Sequence, residues 1–211
     1  MSEIPLLNSI QLDAIKEVGN IGTGNAATAI SKLLCRVVEM DVPKVEIVSI
    51  YELSEYYGSP TMPVASVFVH SEGKFSCSVI FIDSEENAID MIKIWLNINL
   101  GDFPNEELPA EILNSGLAEL GNVIIGSFLG AISDLIETTF QISIPGVAHD
   151  MLGAILDVVA SMYGIMGEYA LVVNTTLRIN GANRNVNMDG NIILLPDPES
   201  LELLLRKLQA L

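Results

Sequence analysis

Apolar residues recur at three- and four-residue spacing over residues 9–34, at Ile10, Ala14, Ile21, Ala29, Ile30, Leu33 and Leu34, which predicts one long helix. Asn8 or Ser9 is placed to cap its start. Two short β-branched runs follow, "RVVEM" and "VEIVSI", split by Pro43. Alternation over 62–70 ("MPVASVFVH") and 75–83 ("FSCSVIFID") across "SEGK" predicts a hairpin. Ser84 then opens the amphipathic helix "SEENAIDMIKIWL" as its N-cap. Residues 97–109, "NINLGDFPNEELP", read as a connector, after which the order returns. A helix is predicted over 109–137, short strands around 140–148, and a helix near 151–163. A hairpin of "YALVVNTTLRI" with "NIILLP" and the helix "PESLELLLRKLQA" complete the series.

The recurrence of element order points to an internal duplication. A shift of 102 places residues 13–32 on 115–134, with seven of twenty positions identical: Glu17/Glu119, Gly19/Gly121, Asn20/Asn122, Gly24/Gly126, Ala29/Ala131, Ile30/Ile132 and Ser31/Ser133. Pro43 falls on Pro145 without a gap. Neither half has enough strand to cover a long helix alone. The expected fold is α+β: an internally duplicated two-layer arrangement, two long helices packed on a shared, mostly antiparallel sheet, with pseudo-twofold symmetry. The chain reads as a single domain over 1–211, with half-repeats at about 8–97 and 108–211.

The repeated helix carries the chemistry. Asp13, Glu17 and Asn20 stand at i, i+4 and i+7, an arc of roughly 60° on one helix face. Ser115, Glu119 and Asn122 repeat the arrangement, and the stripe is expected to face outward. An asparagine amide neither gains nor loses a proton near neutral pH, yet donates and accepts hydrogen bonds at once. It suits holding a water in place rather than acting as a base. One such copy reads as ordinary solvated helix surface. Its recurrence in register, with mid-helix Asn and Gly each disfavouring the helix, argues for a use.

Composition narrows the classes. The chain is half hydrophobic and 18% charged, as suits a packed α/β protein. Its formal charge is −17, with 27 acidic against 10 basic residues, the opposite of a nucleic-acid binder. The N-terminus lacks the pattern of a signal peptide, and the apolar stretch "NVIIGSFLGAISDLI" reads as too short for a bilayer, so no membrane insertion is expected. Cys35 and Cys77 lack metal spacing, fit a reducing cytoplasm and read as core residues. His70 and His149 are far apart in sequence, no cluster offers metal ligands, and Gly-x-x-Gly-x-Gly inside a helix is not a dinucleotide loop.

With these motifs in hand, the chain resembles the CheC family of chemotaxis phosphatases, within the CheC/CheX/FliY group. The family pattern is Asp or Ser, three residues, Glu, two residues, Asn, 22 residues and Pro. Asp13, Glu17, Asn20 and Pro43 fill it once, and Ser115, Glu119, Asn122 and Pro145 fill it again. The resemblance implies hydrolysis of the aspartyl phosphate of the response regulator CheY. Asn20 and Asn122 would orient the attacking water, and Glu17 and Glu119 would pair with a regulator lysine. The Mg²⁺ would belong to the regulator, so no cofactor is expected here. Gly19 and Gly121 would let the partner's backbone approach, with Gly22 serving helix packing and Gly24 packing on the sheet. The family also binds the deamidase CheD. Asp150, at the head of "MLGAILDVV", is the candidate contact there, although it equally reads as the N-cap of that helix. The alternative function is a non-catalytic adaptor for CheD or a response regulator.

Overall fold

The computed structural model describes residues 9–96, 108–164, 169–180 and 185–209. Asn8 and most of the 97–109 connector lie outside them. The long periodic stretches form α1 (Ser9–Leu34) and α4 (Ala110–Ile136). Between them come β1 (Val38–Ser49), the short helix α2 (Leu53–Tyr57), the hairpin β2 (Pro63–Gly73) and β3 (Cys77–Ser84), and α3 (Glu85–Trp95). After α4 follow β4 (Phe140–Ile142), β5 (Gly146–Met151), α5 (Leu152–Tyr163), the hairpin β6 (Tyr169–Asn180) and β7 (Asn185–Pro196), and α6 (Pro198–Gln209). Ser84 caps α3 as its sequence suggests, its hydroxyl accepting from Asn87 N at 3.2 Å.

The strands form one antiparallel sheet in the order β1-β6-β7-β3-β2-β4, with β5 also paired to β2. The halves interleave: β1 lies beside β6 of the second half, and β4 and β5 lie beside β2 of the first. β3 and β7 meet at the centre, so the order reads alike from either edge. Hydrophobic patterning explains the centre. β3 is buried on both faces, with Val79 and Phe81 in one apolar cluster and Ile80 and Ile82 in the other.

One sheet face carries α1 and α4, flanked by α3 and α6, over the larger cluster. The other face, which a two-layer reading leaves open, is partly covered by α5 and α2 through Leu53, Leu152, Ile155, Leu156 and Val159. Pro43 does not divide the first strand into two, contrary to the sequence reading. β1 runs through it with a bulge between Asp41 and Lys44, a position on an edge strand where proline's missing N–H is tolerated. In the second half the matching Pro145 does separate two strands, β4 and β5.

Two further expectations need correction. The stretch read as too short for a bilayer belongs to a 27-residue helix, long and apolar enough to cross one by length and composition alone. Its side chains nonetheless build the core: Leu117, Leu120, Ile124, Ile125, Phe128 and Ile132 are buried. Cys77 is a core thiol, but Cys35 is exposed, just past the end of α1 with φ 51°.

Candidate functional site

Asp13, Glu17 and Asn20 are all exposed along α1, and Ser115 and Glu119 are exposed along α4 with Asn122 half-exposed. The outward stripe therefore exists twice, each on a helix whose opposite side is buried in the core. Ile30 points inward, whereas Ile10 and Ile21 stay 68% and 51% exposed beside the first stripe.

The fixed interval between Asn and Pro has a geometric cause. From Asn20 to Leu34 the helix rises about 21 Å, at 1.5 Å per residue. The turn and first strand residues return by about the same length, at roughly 3.3 Å per residue. The chain thus comes back beside Asn20 at Val42 and Pro43. There Val42 N donates to Asn20 Oδ1 at 3.4 Å, which satisfies a backbone donor left over by the bulge. Thr23 Oγ1 donates to the Asn20 carbonyl at 3.1 Å. Among the described residues, the Asn122 side chain makes no such bond.

Gly19 and Gly121 serve the fold, not a partner. A Cβ at Gly19 would meet Val42 Cγ2 at 3.2 Å, and one at Gly121 would meet Val67 at 2.6 Å. Both glycines are buried, so the expectation that they clear space for a docking backbone is wrong. Gly22 does serve helix packing: its Cβ would lie 2.8 Å from Phe128 Cα of α4. Gly24, expected against the sheet, instead faces open space.

Asp150 is exposed at the end of β5. Its Oδ1 accepts from Met151 N at 2.7 Å, and α5 starts at Leu152 with no side-chain cap, so Asp150 does not N-cap that helix. Both histidines make structural contacts. His70 Nδ1 lies 2.9 Å from Ser78 Oγ, and His149 Nε2 lies 2.9 Å from Asn114 Oδ1. Among the described residues no group of three His, Cys, Asp or Glu side chains could hold a metal.

Residues 10–47, the segment that carries the first stripe and its proline, match the model of the CheC-like family. The CheY-P phosphatase CheC of Bacillus subtilis (strain 168) is 36% identical over 193 residues, covering 91% of this chain and 90% of that protein. The chain belongs to the CheC family. The flagellar motor switch phosphatase FliY of the same organism is 28% identical over 145 residues, 69% of this chain and 37% of FliY. The crystal structure of Thermotoga maritima FliY shares the CheC-family fold, with a TM-score of 0.76 at 20% identity over 97% of this chain and 98% of that one.

Sequence reading located the two stripes but missed the tether from Val42 to Asn20. The Asn-to-Pro interval was the available signal for this contact in the first half, where the returning strand reaches Asn20.

Proposed function

We propose that the protein is a chemotaxis phosphatase that hydrolyses the aspartyl phosphate of CheY-P. One observation carries the reading: Glu and Asn stand three residues apart on an exposed helix face, twice, each pair backed by a buried glycine. An acyl phosphate is already reactive, so catalysis consists largely of placing a water in line and holding the two proteins in register. Asn20 and Asn122 do the first task. An amide oxygen accepts a hydrogen bond from the water and leaves a water lone pair free for phosphorus, without taking the proton. Glu17 and Glu119, one helix turn away, do the second by pairing with a lysine beside the phosphoaspartate. The Mg²⁺ arrives with the regulator as part of the substrate. The P–O bond to the aspartyl oxygen breaks, water oxygen bonds to phosphorus, and phosphate and free aspartate leave.

In this reading the chain acts as a single CheC-like domain in the cytoplasm, with CheD as a second partner at α5. Asp150 is exposed there, and Met151, Val158 and Met162 are 54%, 51% and 59% exposed around the same helix. That apolar surface also supports the alternative, an adaptor that binds CheD or a regulator without chemistry. Phosphate release from CheY-P in Mg²⁺ buffer decides between them. The phosphatase reading requires release to quicken with added protein, and binding without any acceleration leaves the adaptor.

A further inference from the structure

The two stations have the same signature residues but different strand neighbours. Beside the α1 station, the strand positions before the proline are Met40 and Val42, only 7% and 2% exposed. Their counterparts beside α4, at the same shift of 102, are Ile142 and Ile144, which are 41% and 91% exposed. Ile142 Cδ1 lies 3.9 Å from where a Cβ would sit on Gly126, one turn beyond Asn122 on the same helix face. Ile142 therefore adjoins the Glu119–Asn122 stripe, and Ile144 stands two residues further along the same segment. They also stand on a pinned backbone. Ser143 N donates to His70 O at 2.8 Å, and His70 N donates to Ser143 Oγ at 3.0 Å. A large apolar side chain left in water on a fixed backbone is an anchor ordered in advance, which lowers the entropy cost of binding.

We infer that Ile142 and Ile144 form an apolar docking rim for the phosphorylated receiver at the α4 station, a contact the α1 station lacks. This rests on the phosphatase reading above. The occupant is the receiver because the rim continues the stripe that must contact it for Asn122 to reach the phosphoaspartate. A second copy of this chain adding a strand fits the segment poorly. Pairing between β2 and this edge lapses between Ile142 and Gly146, and Pro145 offers no N–H to a new strand.

The test measures dephosphorylation of CheY-P at varied concentration in two backgrounds, Asn20→Ala, where only the α4 station works, and Asn122→Ala, where only the α1 station works. Removing one buried isoleucine contact at a docking surface costs roughly tenfold in affinity. In the Asn20→Ala background, Ile144→Ser is expected to raise KM about tenfold with kcat unchanged, and Ile144→Leu to restore it. In the Asn122→Ala background Ile144→Ser is expected to leave both constants unchanged. The rim is refuted if Asn20→Ala alone is inactive, if KM stays within about twofold in that background, or if it rises equally in both. Loss of a dimer on gel filtration with KM unchanged overturns it in favour of a second copy. Retained acceleration by Asn20→Ala/Asn122→Ala sinks the phosphatase mechanism itself, whatever Ile144 does. Ile144 is so exposed that an unchanged melting temperature checks that the fold is intact.

Discussion

Gly22 and Gly24 sit two residues apart on one helix, yet alanine should act on them in opposite directions. In isolation each change favours the helix by about 1 kcal/mol. At Gly24 no described residue lies within 4 Å of the new methyl, so that gain is kept. At Gly22 the methyl would lie 2.8 Å from Phe128 Cα, a backbone atom of α4 that cannot rotate away. Normal carbon contacts lie near 3.5–4.0 Å, so the helices must separate by the better part of an ångström. Such overpacking costs about 1–3 kcal/mol, and a backbone neighbour places it in the upper part of that range. Gly22→Ala should therefore destabilise by about 1–2 kcal/mol and Gly24→Ala stabilise by about 1 kcal/mol. Urea unfolding at fixed m-value measures the difference directly. In melting temperature the two variants should differ by about 5–10 °C for a chain of this size. Equal stability of the two would mean that α1 and α4 do not approach at Gly22 as described.

Other substitutions test the packing and the buried charge. Phe128, 1% exposed between the long helices, should cost about 3–5 kcal/mol on change to alanine, read by the same unfolding assay. Ser84→Ala removes the cap of α3 and should cost about 1 kcal/mol. Asp83 is pushed up to about 6 by burial, although hydrogen bonds from Asn87 Nδ2 and Ser84 N oppose the shift. Its native state prefers the neutral carboxyl, so this residue favours folding below about pH 4, and that contribution is lost as pH rises through about 6. Asp83→Asn should remove that slope, and its stability relative to wild type should grow by up to about 3 kcal/mol between pH 4 and pH 7. A gap that stays constant with pH would show that Asp83 is not held in its neutral form.

Periodicity and register carried much of this structure. The two long helices, both hairpins and the outward stripes are local or repeated patterns, and an in-register repeat distinguishes a used surface from a solvated one. What was illegible depended on contacts distant in the chain. A glycine in a helix shows only that a side chain is absent, and whether Val42, Val67, Phe128 or solvent fills the space is settled by the sheet. Pro43 and Pro145 look alike in sequence. One nevertheless sits in a bulge of a continuous strand and the other between two strands, because Val42 packs beneath α1 whereas Ile144 projects outward. The same difference leaves Asn20 tethered and Asn122 untethered, an inequality that identical motifs conceal.

The most direct measurement of the central claim is phosphate release from CheY-P with the Asn20→Ala/Asn122→Ala variant at saturating concentration, alongside binding of the same variant to CheY-P. If the asparagines place the attacking water, binding persists while the acceleration falls to the rate of CheY-P alone. Acceleration equal to wild type would contradict the account.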